Sequence, residues 1–291
     1  MAASGARKGR LAIVAGGGFL PLYVAEAARA AGENPFILRL RNEADQRWDG
    51  FDNAVIGVGD MAGLSKLLRA NGIDRVVLSG GVKRRPAFGE IRVNLKSLIK
   101  LPMAVRTLLA GGDDVVLKMV IGLIEAQGCH VIGAHEIAPD LLAETGPIGA
   151  VVPTDDDLRD IARAAEAAEA LGRLDVGQGA VSVGGRIVAL EGVEGTDAML
   201  ERVAHLRAEK RISQRRKGVL VKLCKPQQDV RADLPTIGRS TIENARLAGL
   251  AGIAVEAGRA LVIEREALVK AADEAGLFVI GIDRGLQGES A

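Results

Sequence analysis

The segment with the densest chemistry reads Lys222-Leu-Cys-Lys225-Pro-Gln-Gln228-Asp229-Val-Arg231-Ala-Asp233-Leu-Pro-Thr236-Ile-Gly238. Its lysines and arginine can neutralise the non-bridging oxygens of a diphosphate, while its aspartates can hold a divalent cation or orient a water. Pro226 and Pro235 make the segment an irregular loop, and loops on a rigid scaffold are where reactive side chains usually sit. Asp229 and Asp233 stand four apart; with Glu194 and Asp197 of the turn Glu191-Gly-Val-Glu194-Gly-Thr196-Asp197 they form an oxygen-rich set suited to magnesium rather than zinc. A surface loop of mixed charge is the plain alternative.

Glycines mark a second group. Gly16-Gly17-Gly18 and Phe19 follow the apolar run Leu11 to Ala15, and Gly80-Gly81 follow Arg75 to Ser79. Such turns let a backbone approach a phosphate or sugar nucleotide closely, and a following helix adds unpaired N–H groups. The dinucleotide fingerprint is incomplete, because Gly16, Gly18 and Pro21 spell GxGxxP and the region that should hold a ribose acid reads Leu38-Arg39-Leu40-Arg41. NAD is therefore disfavoured, and Arg39 and Arg41 keep an NADP-using oxidoreductase as an alternative. His135 and Glu136 end another strand, at the edge where open α/β sheets bind ligands, whereas His205 on an Arg-rich helix reads as a surface residue. GxSxG, GxxxxGK[ST] and CxxC are absent.

The elements that must position these residues alternate. Strands are expected at Leu11–Ala15, Pro35–Leu40, Val55–Val58, Arg75–Ser79 and Cys129–Gly133, with helices at Pro21–Ala31, Met61–Asn71 and Val115–Gln127. This is the pattern of right-handed βαβ units on a parallel sheet. The texture then turns to Pro, Gly and Thr, as expected of a linker. Beyond it, Thr154 before three aspartates predicts a capped helix to Leu171. Gly184-Gly185 predicts a hairpin between Gly179–Val183 and Arg186–Glu191; a helix follows at Ala198–Leu206, a strand at Gly218–Leu223 and a helix at Ser240–Ala248. Short strands complete the half at Gly252–Val255, Leu261–Ile263 and Phe278–Ile282. The expected fold is α/β with two domains: a Rossmann-like parallel sheet with helices over 11–141, a linker over 142–153, and a C-terminal α/β catalytic domain over 154–285.

Composition narrows the classes. The 291 residues carry 38 Lys plus Arg against 37 Asp plus Glu, a net charge of +1, and only 2% aromatics. Neither an electrostatic wrap nor a stacking platform for nucleic acid is present. Charge is uneven, however. Lys83 to Arg106 holds seven basic residues against Glu90, and Glu201 to Asp233 ten against four acids, so each carries +6, suited to an anionic ligand or membrane surface or to a solvated helix face. Two distant cysteines, Cys129 and Cys224, and the lack of a long apolar run fit a cytoplasmic protein.

Longer motifs carry a resemblance. Gly172-Arg-Leu-Asp175-Val-Gly-Gln178-Gly-Ala180, Glu194-Gly-Thr196-Asp197-Ala-Met-Leu200, the run from Lys225 to Gly238, and Ala248-Gly-Leu-Ala-Gly-Ile-Ala-Val-Glu-Ala-Gly258 closely resemble the LpxI family, UDP-2,3-diacylglucosamine pyrophosphatases of lipid A biosynthesis. Ala15-Gly-Gly-Gly-Phe-Leu-Pro21 and Gly133-Ala-His-Glu136 resemble the same family, so the likeness spans nearly the whole chain after residue 10. The resemblance implies a magnesium-dependent hydrolase that releases UMP and 2,3-diacylglucosamine 1-phosphate (lipid X). It also implies two α/β domains with the substrate between them, attack at the sugar-side β-phosphorus, and catalysis by the aspartate of Asp-Leu-Pro-Thr-Ile-Gly, here Asp233. Arg239 follows that motif at a position that varies, and receives no role.

Bottom-up chemistry nominates the rest. Substrate contacts are expected from Gly17, Gly18, Phe19, Gly80, Gly81, His135, Glu136, Gln178, Thr196, Asp197, Lys222, Lys225, Gln228, Arg231 and Thr236, and metal contacts from Asp233, Asp197 and Asp229. The basic segments would bring the enzyme transiently to an anionic inner membrane, and oligomeric state stays open, a homo-oligomer included. A non-catalytic sugar-nucleotide or lipid-binding module, with Asp233 merely fixing a loop, is the further alternative.

Overall fold

The computed structural model describes residues 9–82 and 113–284, so the basic run Lys83 to Arg106 lies outside the described residues. By its contacts the chain forms two units, one of residues 1–139 with Asp229–Asp233, the other of 140–228 with 234–291.

In the first unit β1 (Arg10–Ala15), β2 (Phe36–Leu40), β3 (Asn53–Ile56), β4 (Ile73–Ser79) and β5 (His130–Ile132) form one parallel sheet in the order β3-β2-β1-β4-β5. The helices are α1 (Leu20–Ala30), α2 (Met61–Ala70), α3 (Asp113–Glu125) and the short α4 (Ala134–Ile137). Strand alternation divides the core. Ala12, Leu38, Val76 and Val131 pack with Leu64 and Leu68 of α2 and Ile121 and Ile124 of α3. The intervening Leu11, Ile13, Ile37 and Val77 are buried too, and α1 buries Pro21, Val24, Ala25 and Ala28. A sheet covered on both faces needs apolar residues at nearly every strand position, which is why these strands read as continuous apolar runs. Strand order reverses at β1 and β4, so the switch point lies at Gly16–Gly18 and Gly80–Gly81.

The second unit carries β6 (Gly146–Pro147), α5 (Asp155–Arg173), β7 (Gly179–Val183), β8 (Arg186–Leu190), α6 (Gly195–Ala208), β9 (Val219–Lys222), β10 (Thr236–Ile237), α7 (Arg239–Leu247), β11 (Gly252–Glu256), β12 (Leu261–Val262), α8 (Arg265–Ala275) and β13 (Phe278–Ile282). Its main sheet runs β6-β13-β11-β9-β7-β8, with β9, β11 and β13 parallel and β7 antiparallel to both neighbours; β10 and β12 pair separately. Ile161, Ala164, Ala165 and Ala168 of α5 cover one face against Val219, Val221 and Phe278. Met199, Leu200, Ile242, Ala245, Leu268 and Ala272 of α6, α7 and α8 cover the other. Thr154 caps α5 as expected: its hydroxyl accepts from the Asp157 N–H and the Asp157 carboxylate accepts from the Thr154 N–H, at 3.3 and 2.9 Å.

Three expectations change. Residues 142–153, expected as a linker, are built into the second unit: the Ala143 N–H donates to Ala260 O at 2.8 Å, and β6 pairs antiparallel with β13. Residues 265–275 form α8, where only strands were expected on either side; Leu268 and Ala272, four apart, are its buried positions. Asp229–Asp233, expected within the 154–285 domain, packs with the first unit. Arg231 pairs with Glu125 of α3 at 2.8 Å, and Ala232 packs on the α2–α3 face of that core.

Candidate active site

Parallel strands carry their loops, and therefore their ligands, at their carboxyl ends. In the second unit that edge is charged. Lys222 ends β9 at 5% exposure, and its Nζ donates to Thr236 O at 3.2 Å. Among the described residues Lys222 makes no ion pair, and a buried ammonium without a counter-ion is a site for an anion. Lys225 pairs with Asp175 at 2.7 Å, and Asp175 adopts a left-handed backbone at φ 55° to present its carboxylate. The Gln228 side-chain carbonyl accepts from the Lys225 N–H at 3.0 Å, closing the turn.

Beyond β11, Glu256 is 3% exposed and accepts from the Cys224 N–H at 2.9 Å, with Arg259 and Arg284 at 3.7 and 3.9 Å. β8 runs in the same direction as β9, so its carboxyl end reaches this edge as well. There buried Glu191 accepts from the Thr196 hydroxyl at 2.6 Å and from the Gln178 N–H at 3.3 Å. The Gln178 side-chain carbonyl is buried without a hydrogen-bond partner, an acceptor placed for an incoming hydroxyl or amide. Lys222, Lys225, Gln228, Gln178, Thr196 and Thr236 thus share one edge of one unit. A cleft of about 610 Å³ lies at the opposite end of this sheet, lined by Thr154, Asp160, Gly184, Arg216 and Gly218, and includes none of them.

The remaining nominees divide differently. Asp197 stands exposed in the first turn of α6 and accepts from Asn244 at 2.9 Å. Asp229 is chelated by Arg231, whose Nε and Nη2 donate to its two oxygens at 3.0 and 2.8 Å, and these bonds hold its carboxyl below the usual aspartate range. Arg231 also binds Glu125, so this guanidinium is a tie between loop and helix. Asp233 follows as the end of a single turn, its N–H donating to Asp229 O at 3.2 Å. Among the described residues no group of three His, Cys, Asp or Glu side chains is placed to hold a metal ion.

The first unit's edge is built of backbone. Gly17 and Gly81 exchange N–H···O bonds of 2.8 and 3.0 Å, and a Cβ on Gly16 or Gly80 would fall 2.4 or 2.7 Å from a carbonyl oxygen of the facing turn. The glycines are therefore required by the contact of the two turns with each other. The Gly18 N–H, a donor that the phosphate reading needs, donates to the Asp45 carboxylate at 3.0 and 3.2 Å. Phe19 is exposed beside it. His135 and exposed Glu136 lie in α4, immediately after β5, where Glu136 Oε1 accepts from the Gly133 N–H at 2.7 Å and so caps its own helix. Sequence reasoning missed Glu256, Arg259, Arg284 and Asp45; the acid ending an apolar strand was the available signal for Glu256.

Comparison with known proteins follows the same division of the chain. The LpxI N-terminal domain model matches residues 10–141 and the LpxI C-terminal domain model residues 144–280. The UDP-2,3-diacylglucosamine pyrophosphatase LpxI of Caulobacter vibrioides is 44% identical over 275 residues, covering 94% of this chain and 98% of that protein. A crystal structure of Thermus thermophilus UDP-glucose 4-epimerase with NAD covers 94% of this chain and 86% of its own at 14% identity and a TM-score of 0.31, too slight for any conclusion. Two domain models that together span almost the entire described chain, and a relative alike from end to end, place this protein in the LpxI family.

Proposed function

We propose that this chain hydrolyses UDP-2,3-diacylglucosamine to UMP and 2,3-diacylglucosamine 1-phosphate, a step of lipid A biosynthesis, with Asp233 orienting the attacking water. The carrying observation is buried Lys222, which has no counter-ion among the described residues and is hydrogen-bonded to the carbonyl of Thr236. Asp233 stands three positions before Thr236 in the chain, with Leu234 and Pro235 between them. The full-length likeness to the Caulobacter pyrophosphatase supplies the substrate.

In this reaction the water oxygen bonds to the sugar-side β-phosphorus and the bridging P–O bond breaks. UMP leaves with the bridging oxygen, and the water proton passes toward Asp233. Lys222 offsets charge on the non-bridging oxygens, and Lys225, held by Asp175, lies three residues further on. The Gln178 carbonyl receives a sugar hydroxyl or acyl-amide N–H. Magnesium, which usually takes one or two carboxylates together with substrate phosphates, would be held by Asp233 and the diphosphate and supply charge neutralisation. Exposed Arg215, Arg216 and Lys217 serve transient contact with the anionic membrane that carries the substrate. No helix among the described residues is long and apolar enough to cross a membrane.

Release of UMP from the lipid substrate with magnesium, lost in Asp233→Ala, tests the reading. Heavy-oxygen water should label the sugar phosphate and leave UMP unlabelled. Full activity of Asp233→Ala removes the aspartate from the reaction, and turnover unaffected by a chelator removes the metal.

A further inference from the structure

The cleft of about 610 Å³ lies at the amino ends of β9, β11 and β13, and its walls carry acids and bases that differ in how they are used. Each acid there is already engaged. Asp160 accepts from Ser182, Gly184 and Gly185, Asp157 accepts from Thr154, and Asp156 pairs with Arg159. Arg215, Arg216 and Lys217 are exposed on a loop that also lines the cleft, and none of the three has an ion pair among the described residues. Their loop is clamped from behind. The half-buried Arg207 guanidinium donates to the carbonyls of Ser213, Arg216, Lys217 and Ala248, and the Ser213 hydroxyl accepts from the Arg215 and Arg216 N–H groups at 3.3 and 3.1 Å. A Cβ on Gly184 would fall 2.7 Å from Cδ of Arg216 and 2.9 Å from its Nη1, so this side chain is seated against the hairpin turn. Cations fixed along a concave wall focus potential into it, and guanidinium forks beside an ammonium match the oxygens of a phosphate.

We infer that this cleft binds a phosphate group, with Arg216 as its fixed contact and Arg215 and Lys217 adding charge. About 13 Å of chain separates Gly218, in the cleft, from Lys222 at the other end of β9, so the anion held here is separate from one held at Lys222. The phosphate is carried by an anionic phospholipid headgroup or is free in solution. The site rests on these residues alone; only its bearing on membrane contact rests on the proposed hydrolase reading. Occupancy at this end leaves the catalytic edge of the second sheet open.

Two measurements on the full chain separate the sources: co-sedimentation with vesicles of phosphatidylglycerol in phosphatidylcholine, and calorimetric titration with inorganic phosphate against chloride at equal ionic strength. Arg216→Gln should weaken binding about fivefold to tenfold, and Arg215→Gln and Lys217→Gln about twofold to fivefold each. Arg246→Gln, which removes an exposed charge outside the cleft, should change it less than about twofold. Asp156→Asn removes an acid from the wall and frees Arg159, so binding should tighten about twofold to fivefold, a gain that misfolding cannot produce. Arg216-dependent binding to vesicles assigns a phospholipid headgroup, and Arg216-dependent binding to phosphate alone assigns a free anion. No binding of either probe by wild type, unchanged binding in Arg216→Gln, or equal losses from Arg216→Gln and Arg246→Gln overturns the site. Arg216-dependent binding by a protein inert toward UDP-2,3-diacylglucosamine keeps the site and sinks the hydrolase reading. Turnover of dispersed substrate with no binding of either probe does the reverse.

Discussion

The carboxyl-end edges of the two sheets obey one topological rule and are built of opposite materials. The first is glycine backbone folded on itself, with a few polar atoms left unmet. The second is buried charge, with Lys222 and Glu256 at 5% and 3% exposure and Arg259 and Arg284 beside the glutamate. Burying ions is expensive, so a protein that maintains several at one strand end has a use for their field. The glycine edge holds close shape at little electrostatic cost, as suits recognition rather than bond breaking.

Substitutions can break or sharpen this contrast. Asp233→Ala has the largest expected effect, a fall in kcat of about 10³-fold, or roughly 4 kcal/mol, measured by UMP release. A comparable loss from Ser79→Ala would erase the distinction between chemistry and recognition. Next comes Asp160→Ala, at the far end of the second sheet. The Asp160 carboxylate accepts from the Ser182 hydroxyl at 2.5 Å and from the Gly184 and Gly185 amides at 2.9 and 2.7 Å. Its removal should cost about 3 kcal/mol in urea unfolding and leave kcat of the remaining folded enzyme near wild type. Charge there serves the fold.

Lys222→Met keeps the volume and removes the charge. We expect kcat/KM to fall about 10- to 100-fold, about 1.4–2.8 kcal/mol of transition-state binding, with stability unchanged or raised. The smallest effect belongs to Arg231→Leu, which should cost about 1–2 kcal/mol, since the guanidinium is a third exposed and screened. Its signature is pH. Because Arg231 lowers the Asp229 carboxyl in the folded state, the stabilisation is full above the unfolded value near 4 and is lost as pH falls through the folded value. Arg231→Leu should abolish that acid-side dependence in urea midpoints measured across pH 2 to 6. An unaltered acid limb would mean that Asp229 draws its stabilisation elsewhere.

Much of this was legible in the residues. Periodicity located β1, β2, β4 and the hairpin because a strand buried on both faces must be apolar throughout, and Thr154 announced α5 because free N–H groups need an acceptor. Helix α8 escaped because its buried face is two residues, Leu268 and Ala272, among charges. The pairing of Asp229 escaped for another reason. Nothing along the chain says that Asp229 is already spent on Arg231, a partner two residues away, or that Arg231 turns to Glu125, 106 residues distant. Asp45 was passed over because nothing along the chain says that the loop beyond β2 brings its carboxylate back to the Gly18 N–H.

By itself the sequence determined the alternation of elements, the near-neutral charge with its basic concentrations, and the Lys225–Gly238 loop that marks the family, since propensity, burial period and capping act over a few residues. Only the tertiary structure decided which charges are available. Pairing depends on strand register and helix packing across long separations, and those leave Lys222 without a counter-ion among the described residues while closing Asp229 and Arg231 on each other.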